Sequence, residues 1–266
     1  MPRRVTAELD LDLGASVDLI LQITAARGVP LAHEELRIVQ GDREVVPHEI
    51  VDAAGSRLHR LTGTAGPLTI RYEAVADGNA TPPASTDLDL ISYLRPSRYA
   101  QSDAVFGQAR RQFGGLAGVE LLGAISEFVA STVTYSPGMS LGTDSAVETL
   151  SSGQGVCRDY AHLVIALLRA MDVPARYAAC FAPGLVPMDF HAVAEAYVAG
   201  DWYVVDATRL SDRRQLVRIA TGRDAADCAF LSYHGGYVGL ERMTVDAVSD
   251  NPAGEPDDHV SLVRIA

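Results

Sequence analysis

The segment SSGQGVCRDYAHLVIALLRAM, residues 151–171, decides how the rest of the chain is interpreted. Two glycines separated by one polar residue lead into a cysteine, and an apolar run typical of a buried helix follows. Gly153 and Gly155 permit a tight, positive-φ approach to the helix start. A thiol in the first turn of a helix faces unpaired N–H groups and the positive end of the helix dipole, both of which favour thiolate. Cys157 is therefore either small packing material, as many buried free cysteines are, or a nucleophile.

A nucleophilic thiol needs a base, and the sequence offers one in a predicted β-hairpin. His191 opens the strand HAVAEAYV, and Asp206 lies in the following strand DWYVVDAT. If the turn centres on Ala199 and Gly200, Asp206 faces Val193 and lies diagonally from the histidine on the same sheet face. Diagonal neighbours have Cα atoms about 7–8 Å apart, which is within reach of an imidazole–carboxylate hydrogen bond. Such a bond would fix the tautomer of the imidazole and stabilise its charged form.

These segments resemble the transglutaminase-like superfamily. The likeness is carried by GQGVCRDYAHLVIALLRAMDVPARY, HAVAEAYV and WYVVDAT, and it extends to the flanks SYLRPSRYA and RIATGRDAADC, which resemble bacterial transglutaminase-like proteins often described as cysteine proteases. The resemblance implies an α+β, papain-like core in which the cysteine helix packs on an antiparallel sheet. It also implies Cys157 as nucleophile, His191 as general base and acid, and Asp206 as the orienting carboxylate.

Two positions depart from the pattern of that family. Val193 stands where an aromatic residue is common, two residues after the histidine, and Ala207 stands where the carboxylate is usually followed by proline. Neither change removes a catalytic group. The first bears on the substrate groove and therefore on specificity.

Hydrophobic periodicity predicts two parts of different character. Up to residue 76, apolar residues alternate with polar ones and turns are frequent, which predicts a small β-sandwich domain over residues 1–76. The stretch ADGNATPPAST contains two adjacent prolines and predicts a linker over residues 77–86. Residues 87–266 are then expected to form the catalytic domain. The C-terminal stretches YVGLERMTVDAV and VSLVRIA are predicted as further strands.

Helices are expected in the middle of the chain. An apolar stripe predicts one helix around residues 121–133, Asp144 is expected to cap a short helix through Leu150, and the cysteine helix is expected over residues 156–171. Pro174 prevents that helix from continuing far.

Composition limits the choice of partners and of compartment. The net charge of −12 argues against a nucleic-acid partner, because such proteins present basic faces. The longest clean apolar run, residues 163–168, is too short to span a bilayer, and the N-terminus has no continuous apolar signal region. Three widely spaced cysteines form neither a disulfide framework nor a CxxC pair. We therefore expect a cytoplasmic protein that uses no cofactor, metal or membrane.

Other chemistries fit the sequence less well. GMSLG matches the G-x-S-x-G elbow of serine hydrolases, with Ser140 as nucleophile, Asp206, and His234 or His259 as the remaining partners. That elbow needs a strand directly before the serine and a helix directly after it, and Pro137 and Gly138 interrupt the approach. The remaining cysteines, Cys180 and Cys228, add no ligand pair for a metal, and His162 is expected to be a hydrogen-bonded structural residue.

The leading functional hypothesis is a cysteine enzyme that cleaves amide bonds of a peptide or protein through an acyl-enzyme. Hydrolysis is favoured, because water is always present and no amine site is identifiable. Transfer of the acyl group to an amine, and a non-catalytic binding module that uses the same fold, remain as alternatives. The loop FAPGLVPMDF, residues 181–190, is expected to form part of the substrate cleft.

Overall fold

A computed structural model describes residues 2–78, 80–250 and 256–265. Met1, Asn79, residues 251–255 and Ala266, which the predicted sandwich, linker and catalytic domain include, lie outside the described residues. The α+β class is confirmed: a helical layer packs against one antiparallel sheet, and two further sheets form a sandwich. The α-helices within the described residues are α1 Asp87–Ser92, α2 Ser102–Phe113, α3 Gly118–Thr132, α4 Ala146–Ser152 and α5 Cys157–Ala170.

The strands occupy both ends of the chain and its centre. In chain order they are β1 Pro2–Leu13, β2 Val17–Leu21, β3 Leu31–Gln40, β4 Arg43–Glu44, β5 His48–Val51, β6 Arg57–Gly63, β7 Gly66–Asp77, β8 Thr134–Tyr135, β9 Gln154–Gly155, β10 Ala175–Phe181, β11 His191–Val198, β12 Asp201–Val205, β13 Val217–Gly222, β14 Leu231–His234 and β15 Val238–Ser249.

The β-sandwich is built from both ends of the sequence. One sheet has the order β15-β1-β7-β3-β4 and the other the order β14-β2-β6-β5. Strand β1 alternates as its sequence predicts, with Leu9, Leu11 and Leu13 buried between the sheets. Strands β14 and β15 pair antiparallel with β2 and β1 and so belong to the sandwich. Their place in the sequence predicts that they belong to the catalytic domain instead. The predicted linker lies between the last of the N-terminal strands and the first helix, but the sandwich also includes strands β14 and β15 within residues 231–249.

The central layer positions the cysteine helix. Strands β12, β11, β10 and β13 form an antiparallel sheet in that order, and α5 packs against β10 and β11. All of α5 from Asp159 to Ala170 is buried, because α2, α3 and α4 cover the sides that the sheet leaves open. Its bounds agree with the predicted helix over residues 156–171. Tyr72 of the sandwich stacks on Phe181 of the central sheet with ring centroids 6.1 Å apart, so the two parts share one core.

Two local expectations were wrong. The N-cap of α4 is Ser145, whose side chain forms a capping box with Glu148, whereas Asp144 accepts a hydrogen bond from the Leu141 N–H in the preceding turn. The stretch 260–266 forms no strand in its described part, which ends at Ile265. It contacts the central sheet through a backbone bond, in which the Val204 N–H donates to the Val263 carbonyl at 2.8 Å, and through the ion pair of Arg264 with Asp201.

Within the described residues, no single helix has both the length and the hydropathy needed to cross a membrane. Helices α2 and α3 satisfy that criterion only when taken together, across a bend of 109°.

We expect Leu167→Ala to lower the free energy of unfolding by about 2–5 kcal/mol, because it opens a cavity in the middle of α5 where the wild-type side chain is 0% exposed. Leu88→Ala on α1 is the matched control, since Leu88 is 68% exposed, and it should change stability by less than about 0.5 kcal/mol. Urea unfolding measures both. Equal losses in the two variants would contradict the placement of α5 at the centre of the core.

Candidate active site

Cys157 is the first residue of α5, and a tight turn brings the chain to it. Helix α4 ends at Ser152 and is capped by Gly153, whose φ of 65° is left-handed, and β9 then leads to the start of α5. The Val156 N–H donates to the Asp159 carboxylate at 2.8 Å. A Cβ on Gly155 would lie 2.6 Å from the Asp159 Cβ, so glycine is required there by close packing. The expectation of a positive φ is therefore met at Gly153, while Gly155 is needed for a different reason.

The Cys157 thiol differs from the other two in its access to solvent. Cys157 is half-buried, whereas Cys180 and Cys228 are buried. Burial raises the pKa of both buried thiols well above the usual value, which keeps them protonated and unreactive. The Cys157 Sγ lies 3.9 Å from the carbonyl oxygen of Phe190, the residue directly before His191. The accessible thiol is therefore beside the start of the histidine strand.

The hairpin has the predicted register, and it joins His191 to Asp206. Val198 pairs with Asp201 and Ala194 pairs with Val205, so the turn falls between residues 198 and 201. The His191 Nε2 lies 2.8 Å from the Asp206 Oδ2, and these side chains are 0% and 1% exposed. Because Nε2 is used by the carboxylate, Nδ1 is the nitrogen left for the sulfur. Nδ1 is buried and makes no well-formed hydrogen bond within the described part of the chain.

Asp206 is itself held in place by Thr208, which sequence reasoning did not single out. The second carboxylate oxygen accepts hydrogen bonds from the Thr208 N–H at 2.9 Å and from its hydroxyl at 2.7 Å. Both oxygens of this buried carboxylate are therefore satisfied, which fixes the orientation of the imidazole. An Asp-x-Thr spacing of this kind is the sequence signal for such a turn.

Charge is stabilised on this buried pair. Burial by itself would lower the pKa of His191, but the charge and hydrogen bond of Asp206, together with the Cys157 thiol, raise it to about 10. Burial would raise the pKa of Asp206, but His191 and Thr208 hold it below its usual value. The histidine contribution to stability is therefore complete below about pH 6.5 and is lost as the pH rises through about 10. The aspartate contribution is lost only as the pH falls below 3.8 towards its lowered pKa.

Tyr135 is a further residue at the site that the sequence did not indicate. Strand β8 pairs parallel with β9, which places Tyr135 opposite Gly155, two residues before the nucleophile. Burial, together with the nearby Cys157, raises the pKa of Tyr135 to about 12, although the Cys157 N–H acts in the opposite direction. The hydroxyl therefore stays protonated at neutral pH and is a hydrogen-bond donor close to the nucleophile.

The alternative site residues are not assembled. Ser140 lies in a loop with no strand directly before it and no helix directly after it, and its hydroxyl accepts a hydrogen bond from Arg158 at 2.7 Å. His234 pairs with Asp18 on the sandwich, away from Asp206. His162 is fully buried, and its Nε2 accepts from the Ala225 N–H at 3.1 Å, as expected for a structural histidine.

Among the residues that the structure describes, one cluster of side chains could hold a metal ion by composition. His33, Glu35 and Glu73 on β3 and β7 bring ligand atoms within 4.8 Å of one another, but all three are exposed. His33 already bonds to Glu73 at 2.9 Å. The cluster belongs to the sandwich and contributes nothing to the cysteine site.

We expect Asp206→Asn to lower the pKa of His191 by several units, because burial then acts without the opposing carboxylate charge. In the wild-type protein the His191 ring signals in an NMR titration should remain those of the charged form from pH 5 to about 9. In Asp206→Asn they should show the neutral form at pH 7.

The matched control is Asp201→Asn on the same hairpin, whose carboxylate pairs with Arg264 rather than with histidine. It should leave the His191 titration unchanged. A neutral His191 in the wild-type protein at pH 7 would refute this description of the pair.

Known proteins are similar to this chain over the region that contains these residues. Residues 109–207, which contain the cysteine, the histidine and the aspartate, match the family model of the transglutaminase-like superfamily. A crystal structure named "Putative Cysteine Protease", from Cytophaga hutchinsonii, is 34% identical and superposes with a TM-score of 0.89, covering 98% of this chain and 96% of that chain.

More distant proteins also match. An uncharacterized protein of Mycobacterium leprae is 24% identical over 224 residues, which are 81% of this chain and 73% of that protein. The periplasmic domain of TgpA from Pseudomonas aeruginosa is 19% identical with a TM-score of 0.43, over 76% of each chain. The family match and the likeness to the Cytophaga hutchinsonii protein over nearly all of both chains show that this chain belongs to the transglutaminase-like superfamily.

Proposed function

We propose that the protein is a cysteine hydrolase that cleaves amide bonds of peptides or proteins through an acyl-enzyme. The observation that carries the proposal is the accessible Cys157 thiol at a helix start beside a buried His191–Asp206 pair joined at 2.8 Å. The likeness to the "Putative Cysteine Protease" structure from Cytophaga hutchinsonii, which is 34% identical to this chain, favours proteolysis as the outcome.

The chemistry follows from the positions of the side chains. In the resting site the proton of the Cys157 thiol already lies on His191 Nδ1, which agrees with the raised pKa of that histidine, and the thiolate sulfur attacks the amide carbonyl carbon. The carbonyl oxygen becomes negative and accepts hydrogen bonds from the Cys157 N–H and the Tyr135 hydroxyl. As the C–N bond breaks, His191 returns its proton to the leaving amine. Water then attacks the thioester with His191 as base, which releases the acid and restores the thiol.

The loop that leads to His191 is the part of the surface expected to meet a peptide substrate. Val186 on this loop is 79% exposed, and Phe190 at its end has its carbonyl oxygen 3.9 Å from the Cys157 Sγ. The loop also borders a cavity of about 790 Å³, whose described lining is of mixed polarity and does not include Cys157, His191 or Asp206. The exposed apolar side chains of the loop, rather than this cavity, support a peptide as substrate.

We expect iodoacetamide at pH 7 to alkylate Cys157 at least about a hundredfold faster than Cys180 or Cys228, because only Cys157 has both access and a basic partner. Peptide mapping by mass spectrometry gives the rate at each cysteine. His191→Ala should slow the Cys157 reaction by at least about a hundredfold, as removal of a general base does. Cleavage of a peptide library should be lost in Cys157→Ala and kept in Cys228→Ala.

The same experiment separates the alternatives. Fast alkylation without cleavage of any library member, together with incorporation of an added amine into glutamine-containing peptides, would replace hydrolysis by acyl transfer. Equal alkylation of the three thiols, unaffected by His191→Ala, would contradict a catalytic role and leave a binding module.

We expect Tyr135→Phe to lower kcat by about 10²-fold, because it removes one of two donors to the developing oxyanion. KM and the alkylation rate of Cys157 should change little, since neither depends on an oxyanion. Tyr233→Phe on β14 of the sandwich, where the ring is 43% exposed, is the matched control and should leave kcat unchanged. Parallel losses of kcat and of alkylation would instead mean that Tyr135 only supports the position of the helix.

A further inference from the structure

A second cavity lies at the other end of the sheet face that carries the catalytic pair. Side chains of β11 alternate, so Glu195 shares a face with His191 and lies four residues, roughly 13 Å, further along the strand. The cavity has a volume of about 720 Å³. Residues 80–85, the β11–β12 hairpin and residues 263–265 form its walls. Nothing in the proposed hydrolysis uses it.

The inner wall of this cavity is a buried cluster of two arginines and one glutamate. Glu195 accepts from the Arg176 Nε at 2.8 Å and from Arg218 through both of its oxygens, at 2.8 and 2.6 Å. The three side chains are 7%, 4% and 1% exposed for Arg176, Arg218 and Glu195 respectively. The cluster therefore holds one more positive than negative charge in a place where charge is costly to bury.

The donors of this cluster are not all used. Arg176 makes its one side-chain hydrogen bond within the described residues through Nε, which leaves both terminal nitrogens of its guanidinium without a hydrogen-bond partner there. The Arg218 Nε is also buried without a partner within the described part of the chain. The other arginines at the cavity wall have carboxylate partners: Arg264 pairs with Asp201 and Arg214 pairs with Asp212.

An aromatic surface lies against the same guanidinium. The Arg176 Cζ lies 4.1 Å from the centroid of the Trp202 ring, and this stacking fixes the plane of the guanidinium group. Trp202 is tied to the wall by its indole N–H, which donates to the Ser85 hydroxyl at 2.6 Å. Tyr197 also borders the cavity and packs on Trp202 with ring centroids 5.2 Å apart. A guanidinium with two available donors on a fixed plane matches the oxygens of a carboxylate or phosphate.

We propose that this cavity binds a small organic anion, whose carboxylate or phosphate group pairs with Arg176 and whose apolar part packs on Trp202 and Tyr197. The anion supplies the negative charge that the buried cluster lacks. General electrostatics cannot account for such a site, since the chain as a whole carries a net charge of −12 and repels anions. The proposal is independent of the cysteine chemistry, because the described lining of the cavity does not include Cys157, His191 or Asp206.

Calorimetric titration of the Cys157→Ala protein tests the proposal without interference from turnover. The affinity tag is placed at the N-terminus, because residues 263–265 line the cavity. The probes are benzoate, phenyl phosphate and the uncharged benzyl alcohol, in low-salt buffer without phosphate. We expect one of the anions to bind with 1:1 stoichiometry and a Kd below about 1 mM. The tighter of the two assigns the ligand as carboxylate or phosphate, and benzyl alcohol should not bind.

Two variants establish the location. Arg176→Gln should raise the Kd at least about tenfold, as loss of a charge-assisted bond does, and leaves Glu195 paired with Arg218. Arg98→Gln is the matched control, because Arg98 also stacks on an aromatic ring, that of Tyr99, but lies outside the cavity. Ala84→Glu adds a carboxylate to the cavity wall, keeps the cluster intact, and should also abolish binding.

The outcomes are distinct. Binding lost in Arg176→Gln and Ala84→Glu but kept in Arg98→Gln supports the anion site. Absence of binding by either anion, equal affinity for benzyl alcohol, or unchanged affinity in Arg176→Gln overturns it. Should Arg176→Gln fail to fold, Ala84→Glu decides alone: unchanged affinity in that variant overturns the proposal.

Discussion

The site depends on a charge pair that is shielded from water. His191 and Asp206 meet at 2.8 Å with almost no exposed surface, and each is stable as an ion only because the other is present. Without Asp206, burial drives the imidazole to its neutral form, whereas removal of His191 would leave an uncompensated buried carboxylate, which costs about 3–5 kcal/mol. The hairpin register, the Thr208 turn and the packing of α5 on β11 all serve to keep this pair together and to bring it to the sulfur.

Burial of α5 explains why so reactive a group can be placed with precision. A helix enclosed on all sides cannot slide along the sheet without disturbing the core, so the position of Cys157 relative to β10 and β11 is fixed. The chain entering the helix is constrained as well, since Gly155 packs directly on Asp159. The thiol lies at the end of a rigid element, while the loop over residues 181–190 that leads to His191 has an exposed apolar surface.

One face of the central sheet carries two charged centres, and only one of them has equal numbers of positive and negative groups. At the start of β11 the imidazole and carboxylate balance each other, and one ring nitrogen remains for the thiol. Four residues later the same face carries two arginines and a single glutamate, so the charges do not balance. Burial alone would raise the pKa of Glu195, but Arg176 and Arg218 outweigh it and lower the pKa of that carboxyl to about 2. Charge compensation between neighbouring strands therefore organises the whole face.

The sequence by itself determined the features that local patterns encode. Alternation of apolar residues predicted β1, the helical run predicted α5, and the turn at Ala199 and Gly200 fixed the register that joins His191 to Asp206, because a hairpin ties distance in space to distance along the chain. Only the tertiary structure decided that β14 and β15 complete the sandwich, that Tyr135 lies at the start of α5, and that Arg176 and Arg218 share one carboxylate. Most of these contacts join segments that are far apart in the chain. The contact of Arg218 with Glu195 depends on how β13 pairs with β10. No local periodicity shows which strand edges or which side chains will meet.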